Sequence, residues 1–358
     1  MKTLLSLVIV CLLFVGCDKK ENRPPKTLDF ETLMGKELPS WTSLQSSEDF
    51  ETLTFFKTLY EKNKPLLFES HSVCKIPKII HFIWLGPKDF PHESIKNVKS
   101  WIDNHPDWEY TFWTDRNRPL PHPKMHQKLI KDFKFTKLSD YFLKSGNVAE
   151  KSDLLRYEIL DQQGGIYVDH DVFCIHAFDA LNQSYDFYCG LEMPTSQWLS
   201  SAVHTTNNLI ASRPGHPILQ YCMQWLEEKW DGIEKQYPGQ DKESIIARVA
   251  NRTFSAFFES VKNSIDQNNN KDIVFPAFYF NAPNDSSALL ARHLYAGTWF
   301  ENETKFEKMA RERLMLLSKK TNKIMLICGV LGIANLICFI IIIFVLTKTK
   351  FSKNRTVS

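Results

Sequence analysis

The chain has 358 residues, 43% of them hydrophobic and 24% charged, with a formal net charge of +3. That balance suits a folded chain with a normal core and excludes a disordered one. The charge is too mild, and too free of any basic stripe in the main body, for a nucleic-acid-binding protein.

The N-terminus opens Met1-Lys2-Thr3 and runs apolar from Leu4 to Gly16. One positive charge, a short apolar stretch and a small residue make a secretory signal, too short to span a bilayer comfortably. Its end, Leu13-Phe14-Val15-Gly16-Cys17, is similar to a bacterial lipobox, with Phe14 where Leu is usual. Residues 1–17 therefore read as a signal or lipobox-like segment. Residues 18–75 read as a polar tether followed by a helical extension. Phe50, Leu53, Phe56 and Leu59 stand at helical spacing and predict a helix over residues 46–63.

Residues 78–85, KIIHFIWL, read as a buried strand bounded by Pro77 and Gly86-Pro87. A helix over 93–104 and a strand over 109–114 follow. Residues 147–163 form a helix that Gly164-Gly165 ends. A strand over 166–168 then runs into Asp169-His170-Asp171. Further strands are expected at 185–191 and 208–211, helices at 217–229 and 242–262, and a loop at 268–270. Strands alternating with helices predict an α/β fold: a mostly parallel twisted sheet with helices on both faces. Such sheets bind ligands beyond the C-terminal ends of their strands.

Residues 301–323 read as a juxtamembrane helix. Residues 324–346 carry no charge and are apolar apart from Asn335, long enough to cross a membrane as one helix. Residues 347–358 form a basic tail. An exported N-terminus and a single span would hold the body, residues 76–300, on the exported side of a membrane. Cys74, Cys174, Cys189 and Cys222 lie in that body; no C-x-x-C pair exists, which argues against a zinc or thioredoxin-like site. Disulfides and free thiols both remain open for these four.

Residues two apart on an extended chain point the same way, so Asp169 and Asp171 can aim both carboxylates into one site. Paired carboxylates with oxygen-rich partners suit Mg²⁺ or Mn²⁺. An Asp-x-Asp alone is a common chance pattern, and its context decides. On the preceding helix Asp153 and Arg156 stand three apart and share one face. Val148, Leu155 and Ile159 lie opposite and are expected to face the core. Asp153 could accept sugar hydroxyls and Arg156 could contact sugar or phosphate; from spacing alone a surface ion pair is the simpler reading.

The segment SDLLRYEILDQQGGIYVDHDV resembles the core motif of family 32 glycosyltransferases, which include mannosyltransferases acting on N-glycans or inositol phosphorylceramide and are related to clostridial glucosylating toxins. The likeness runs through Ser152-Asp153, Arg156, Gly164-Gly165, Tyr167, Asp169 and Asp171. IPKIIHFIWLG resembles the family's first strand, and Trp108-Glu109-Tyr110 with Trp113-Thr114-Asp115 its second. NNLIASRPGHP and HLYAGTW resemble its later segments. The resemblance covers about residues 76–299.

It implies a GT-A type fold and a retaining, metal-dependent transfer of a hexose from a UDP- or GDP-sugar to a glycan, lipid or protein acceptor. It implies that Trp84 stacks on the base, that Asp153 and Arg156 hold the sugar, and that Asn207 lies near it. Asp169 would contact ribose or sugar and Asp171 would ligate Mn²⁺ or Mg²⁺. His293, Thr298 and Trp299 would close over the diphosphate and metal. One departure is Arg252-Thr253-Phe254-Ser255, where relatives often have Thr-Gly-Pro. No enzymatic nucleophile is evident near the metal motif. A metal-dependent phosphohydrolase and a non-catalytic sugar-binding membrane protein are the competing readings.

Overall fold

In the computed structural model, which describes residues 28–69, 73–195 and 201–297, the apolar runs become strands of one sheet. The features below all belong to the compact unit that ends at Ala296. The strands are β1 (Ile79–Trp84), β2 (Glu109–Thr114), β3 (Met125–Leu129), β4 (Gly165–Val168), β6 (Phe187–Leu191), β7 (Thr205–Ser212) and β8 (Asp272–Phe275), in the order 3-2-1-4-7-6-8. Four of the six pairings are parallel; β7 runs antiparallel to both its neighbours, β4 and β6. Neighbouring side chains on a strand point to opposite faces. In β4, β6 and β8 every residue is buried, so helices and loops cover the centre of the sheet on both sides. β5 (Val172–Cys174) and β9 (Ala291–His293) make a separate antiparallel pair beside the sheet.

Six longer helices pack around these strands: α1 (Ser47–Asn63), α2 (Ile95–Asn104), α3 (Val148–Gln163), α4 (Pro217–Gln236), α5 (Lys242–Val249) and α6 (Ser255–Ser264). α1 starts on a capping box, with Ser46 accepting from the Asp49 amide and Asp49 accepting from the Ser46 amide. Its buried face is Leu53, Phe56, Leu59 and Tyr60; Phe50, expected on that face, is 49% exposed. The expected helix over 242–262 is interrupted: α5 and α6 are joined through a π-helical turn, Ala250–Phe254.

α3 starts where Asn147 accepts from the Ala149 and Glu150 amides. It stops at Gly164, φ +64°, and Gly165, φ +95°. A Cβ on Gly165 would lie 2.5 Å from the Ile79 carbonyl oxygen, so only glycine lets β4 leave the helix and pair at once with β1. That turn aims β4 at the site.

Cys74, Cys174, Cys189 and Cys222 are free thiols, which settles the open disulfide question for these four. Among the described residues no helix is long and apolar enough to cross a membrane. The expected span at 324–346, the flanking segments 301–323 and 347–358, and the signal-like residues 1–17 lie outside the described residues.

Candidate active site

Parallel pairing brings the C-terminal ends of β1, β4 and β6 to one edge, and the reversed β7 begins there. Trp84 ends β1, Asp169 follows β4, Glu192 follows β6, and Thr205 to Asn208 open β7. The edge therefore collects three of the sequence's candidate positions, Trp84, Asp169 and Asn207, as the topology of an open α/β sheet requires.

Asp169 and Asp171 converge by a different route from the expected one. The segment after β4 is a turn, closed by the Val172 amide on the Asp169 carbonyl at 3.1 Å, and not a continuing strand. The turn joins β4 to β5, and β9 pairs His293 with Val172. Ligand atoms of Asp169, Asp171 and His293 thereby lie within 4.8 Å of one another. His293 Nε2 is 3.4 Å from Asp171 Oδ2, and the Ala296 amide donates to the same oxygen at 2.7 Å. Burial works against ionising Asp171, but the His293 ring, His170 and the Ala296 amide outweigh it and hold its carboxyl well below the usual carboxylate range. Burial likewise disfavours the His293 cation, and Asp171 overcomes this and raises it. Two carboxylates and an imidazole are a donor set that fits a divalent ion, with the imidazole favouring Mn²⁺ over Mg²⁺.

Asp153 and Arg156 make the predicted i,i+3 pair, Nη2 to Oδ1 at 2.8 Å, but not at the surface: their side chains are 4% and 5% exposed. α3 is buried nearly all round from Asp153 to Leu160, so the expected division into a core face and a polar face fails there. Arg156 reaches onward to Asp169 Oδ1 at 3.4 Å, donates to the Asn207 carbonyl and lies 4.0 Å over the Tyr167 ring. Tyr167 donates to Asp169 Oδ1 at 2.5 Å. Asn207 Nδ2 donates to Asp153 Oδ1 at 3.1 Å. One guanidinium thus links the helix to the turn that carries the Asp-x-Asp. Burial pushes Asp153 up to about 6, against the pull of Arg156 and Thr253.

Trp84 is 9% exposed and packs edge-on against Phe90 at 5.5 Å and His170 at 5.0 Å, its indole N–H on the Lys88 carbonyl. The structure brings it beside the Asp-x-Asp turn with little free surface. Thr298 and Trp299 lie outside the described residues.

Sequence reasoning passed over a carboxylate here. Glu192, half-buried at the end of β6, accepts from the Tyr295 hydroxyl at 2.6 Å, and burial raises its pKa. Tyr295 holds φ +51°, a strained conformation for a tyrosine, within the segment that also gives His293 and the Ala296 amide. The only available signal was the strand-end position of Glu192. Several buried polar atoms at this edge, Arg156 Nε, Thr205 Oγ1, Asn208 Oδ1 and His293 Nδ1, find no hydrogen-bond partner among the described residues. Buried polar atoms are normally paired, so this concentration calls for partners that the described residues do not supply.

The family model described as "Glycosyltransferase sugar-binding region containing DXD motif" matches residues 91–188. Inositol phosphoceramide mannosyltransferase 3 of Schizosaccharomyces pombe is 34% identical over 150 residues, 42% of this chain and 37% of that protein. Mannosyl phosphorylinositol ceramide synthase CSH1 of Saccharomyces cerevisiae is 32% identical over 40% of this chain and 33% of its own. The chain thus spans about a third of the length of these relatives. Among solved structures, PaToxG Glycosyltransferase superimposes with a TM-score of 0.42 at 18% identity, covering 60% of this chain and 78% of that one. With the matched segment running through α3, Gly164-Gly165 and the Asp169-His170-Asp171 turn, the chain carries a glycosyltransferase sugar-binding region containing the DXD motif.

Proposed function

We propose that the protein is a retaining, metal-dependent glycosyltransferase that moves a hexose from a UDP- or GDP-sugar to a glycan, lipid or membrane-proximal acceptor. The observation that carries this reading is the buried Arg156, bonded to Asp153 on α3 and to Asp169 on the Asp-x-Asp turn. A surface ion pair would contribute little and need not be buried. A buried pair with unpartnered polar atoms around it is suited to holding a polyhydroxyl ligand.

In this reading Asp153, Arg156 and Asn207 bind and orient the donor sugar. Asp169, Asp171 and His293 would hold a divalent ion, which when bound neutralises charge on the departing diphosphate. Trp84 would lie against the base. Positioning and charge stabilisation then carry the rate, with the low exposure of Asp153 and Arg156 keeping water from the sugar. Retention of configuration follows from the family resemblance of residues 152–172.

The relatives' names favour a mannosyl donor and an inositol phosphoceramide acceptor. An anchor at residues 324–346, with the body on the exported side, would suit such a lipid acceptor by raising the local concentration of enzyme at the bilayer.

A panel of UDP- and GDP-hexoses incubated with Mn²⁺ tests the reading. Release of free sugar and nucleoside diphosphate from one donor supports it. Release of inorganic phosphate without free sugar would indicate a phosphohydrolase. Binding without turnover would indicate a non-catalytic sugar-binding protein.

A further inference from the structure

The departure Arg252-Thr253-Phe254-Ser255 falls on the π-helical turn between α5 and α6, where the Ser255 amide reaches back to the Ala250 carbonyl. A π-turn inserts one extra residue into a helix, re-aims the side chains that follow, and is often found at functional sites. This one is pinned on both sides. Arg252 is 2% exposed, bonds Glu150 of α3 at 3.3 Å, pairs with Glu234 of α4 and stacks 3.9 Å over the Trp230 ring. Glu150 in turn accepts from Ser145 Oγ at 2.7 Å.

The extra residue turns Thr253 inward. Its hydroxyl lies 2.5 Å from Asp153 Oδ2 and 3.1 Å from the Val249 carbonyl. A hydroxyl has one proton, so with Asp153 ionised the proton goes to the carboxylate, the stronger acceptor. The Thr253 carbonyl accepts from the Tyr157 hydroxyl at 3.0 Å. The Tyr157 oxygen lies 3.2 Å from Asn207 Nδ2, which also donates to Asp153 Oδ1. Asp153, Thr253, Tyr157 and Asn207 thus close a ring of bonds, which Thr253 enters twice, once by side chain and once by backbone.

That ring fixes what Asp153 can offer. Oδ1 takes Arg156 at 2.8 Å and Asn207 at 3.1 Å, which occupies both its lone pairs. Among the described residues Oδ2 takes only Thr253, which leaves one lone pair. Thr253 itself is fully buried and cannot touch a ligand.

We propose that Thr253, held by the π-turn, is a positioning residue for the donor sugar: its hydroxyl locks the Asp153 carboxylate so that one Oδ2 lone pair is presented to a sugar hydroxyl. This rests on the glycosyltransferase reading above. It makes the departure from the family's Thr-Gly-Pro part of the donor-sugar machinery. Losing Thr253 weakens recognition of the sugar and leaves recognition of the nucleotide intact.

The test compares the full-length protein with Thr253→Val, Thr253→Ser and Tyr157→Phe, each with Mn²⁺. Two quantities are measured for each: affinity for UDP and GDP alone, and KM and kcat for hydrolysis of the donor selected from the hexose panel. Thr253→Val keeps the shape and removes the hydroxyl. It should raise KM for the nucleotide sugar about ten- to a hundred-fold, the loss expected for one hydrogen bond to a charged group. Its affinity for the nucleoside diphosphate should stay within about twofold of wild type. Thr253→Ser should restore KM to within about threefold, and Tyr157→Phe should show a smaller version of the same split. Three results overturn the proposal: Thr253→Val with wild-type KM; equal losses for sugar nucleotide and free nucleotide in Thr253→Val and Tyr157→Phe alike; or Thr253→Ser no better than Thr253→Val. Failure of the wild type to bind any nucleotide sugar overturns the glycosyltransferase reading itself and this proposal with it.

Discussion

His293 Nε2 stands 3.4 Å from Asp171 Oδ2, held there because β9 pairs His293 in register with Val172, the residue after the Asp-x-Asp turn. A residue 122 positions downstream of Asp171 is thus fixed to the acidic turn by backbone pairing and not by chance of side-chain reach. If the three ligand groups hold a divalent ion, Asp171→Asn should lower Mn²⁺ affinity and donor turnover by at least about a hundred-fold while far-UV circular dichroism stays unchanged. Wild-type turnover in the variant would remove Asp171 from the metal role.

The same pair predicts a pH dependence in the metal-free protein. Asp171 is depressed below its ordinary 3.8, so its contribution to stability is present above that value and lost as pH falls through the folded one. His293 is raised above its ordinary 6.5, so its contribution is present below that value and lost as pH rises through the folded one. Both contributions are therefore complete between about 4 and about 6.5. In EDTA this pair's share of thermal stability, read as the difference between wild type and His293→Gln, should be largest in that window, and His293→Gln should flatten the alkaline side of the profile. An unchanged alkaline limb in the variant would contradict the assignment.

Burial sets Asp153 at about 6, above its ordinary 3.8. Between those values the folded protein binds the proton more tightly than the unfolded chain, so this group's contribution to stability falls as pH rises through the window. Sugar recognition should move the opposite way, because the ionised form is the one that accepts hydroxyls and holds Arg156. Burial is the largest cause of the rise; Arg156 and Thr253 oppose it, and Asp169 and Glu150 add to it. Affinity for the nucleotide sugar should therefore improve on passing from below to above about pH 6, and the step should vanish in Asp153→Asn. A step that persists in Asp153→Asn belongs to another group.

Trp84 packs against Phe90 and His170 and is nearly enclosed, so its substitution has two consequences that must be read separately. Trp84→Ala should cost about 3–5 kcal/mol of stability, the range for deleting a buried aromatic. If the exposed part lies against the base, nucleotide affinity should also fall by about 1–3 kcal/mol. Trp84→Phe keeps an aromatic face with less loss of packing, and titration with UDP and GDP at a temperature where both variants are folded separates the two effects. Unchanged affinity in both would leave Trp84 a core residue only.

The central strands and α3 were legible because they are written locally. Apolar runs bounded by Pro77, Gly86 and Gly164-Gly165 fix β1, α3 and β4 within a residue or two of the expected limits. The Asp153 and Arg156 pair was legible from helical spacing, but its burial was not. Nothing on α3 announces that the π-turn and the start of β7 close over that face. β3, β5, β8 and β9 were missed: β5 and β9 are three residues each, and their pairing joins segments far apart in sequence. Glu192 and Thr253 were missed for the same reason, since each acquires meaning only through a partner on another element. The π-turn was unreadable because its register shift comes from tertiary anchoring of Arg252, which no local propensity records.

The glycosyltransferase assignment is tested most directly by ¹H NMR of the full-length protein turning over its preferred α-linked nucleotide hexose, with Mn²⁺ and then with excess EDTA. Sugar should appear first as the α-anomer and only while Mn²⁺ is present, and Asp153→Asn and Asp171→Asn should each abolish it. First appearance of the β-anomer would contradict retention. Undiminished turnover in EDTA, or in either variant, would contradict the assignment of the site.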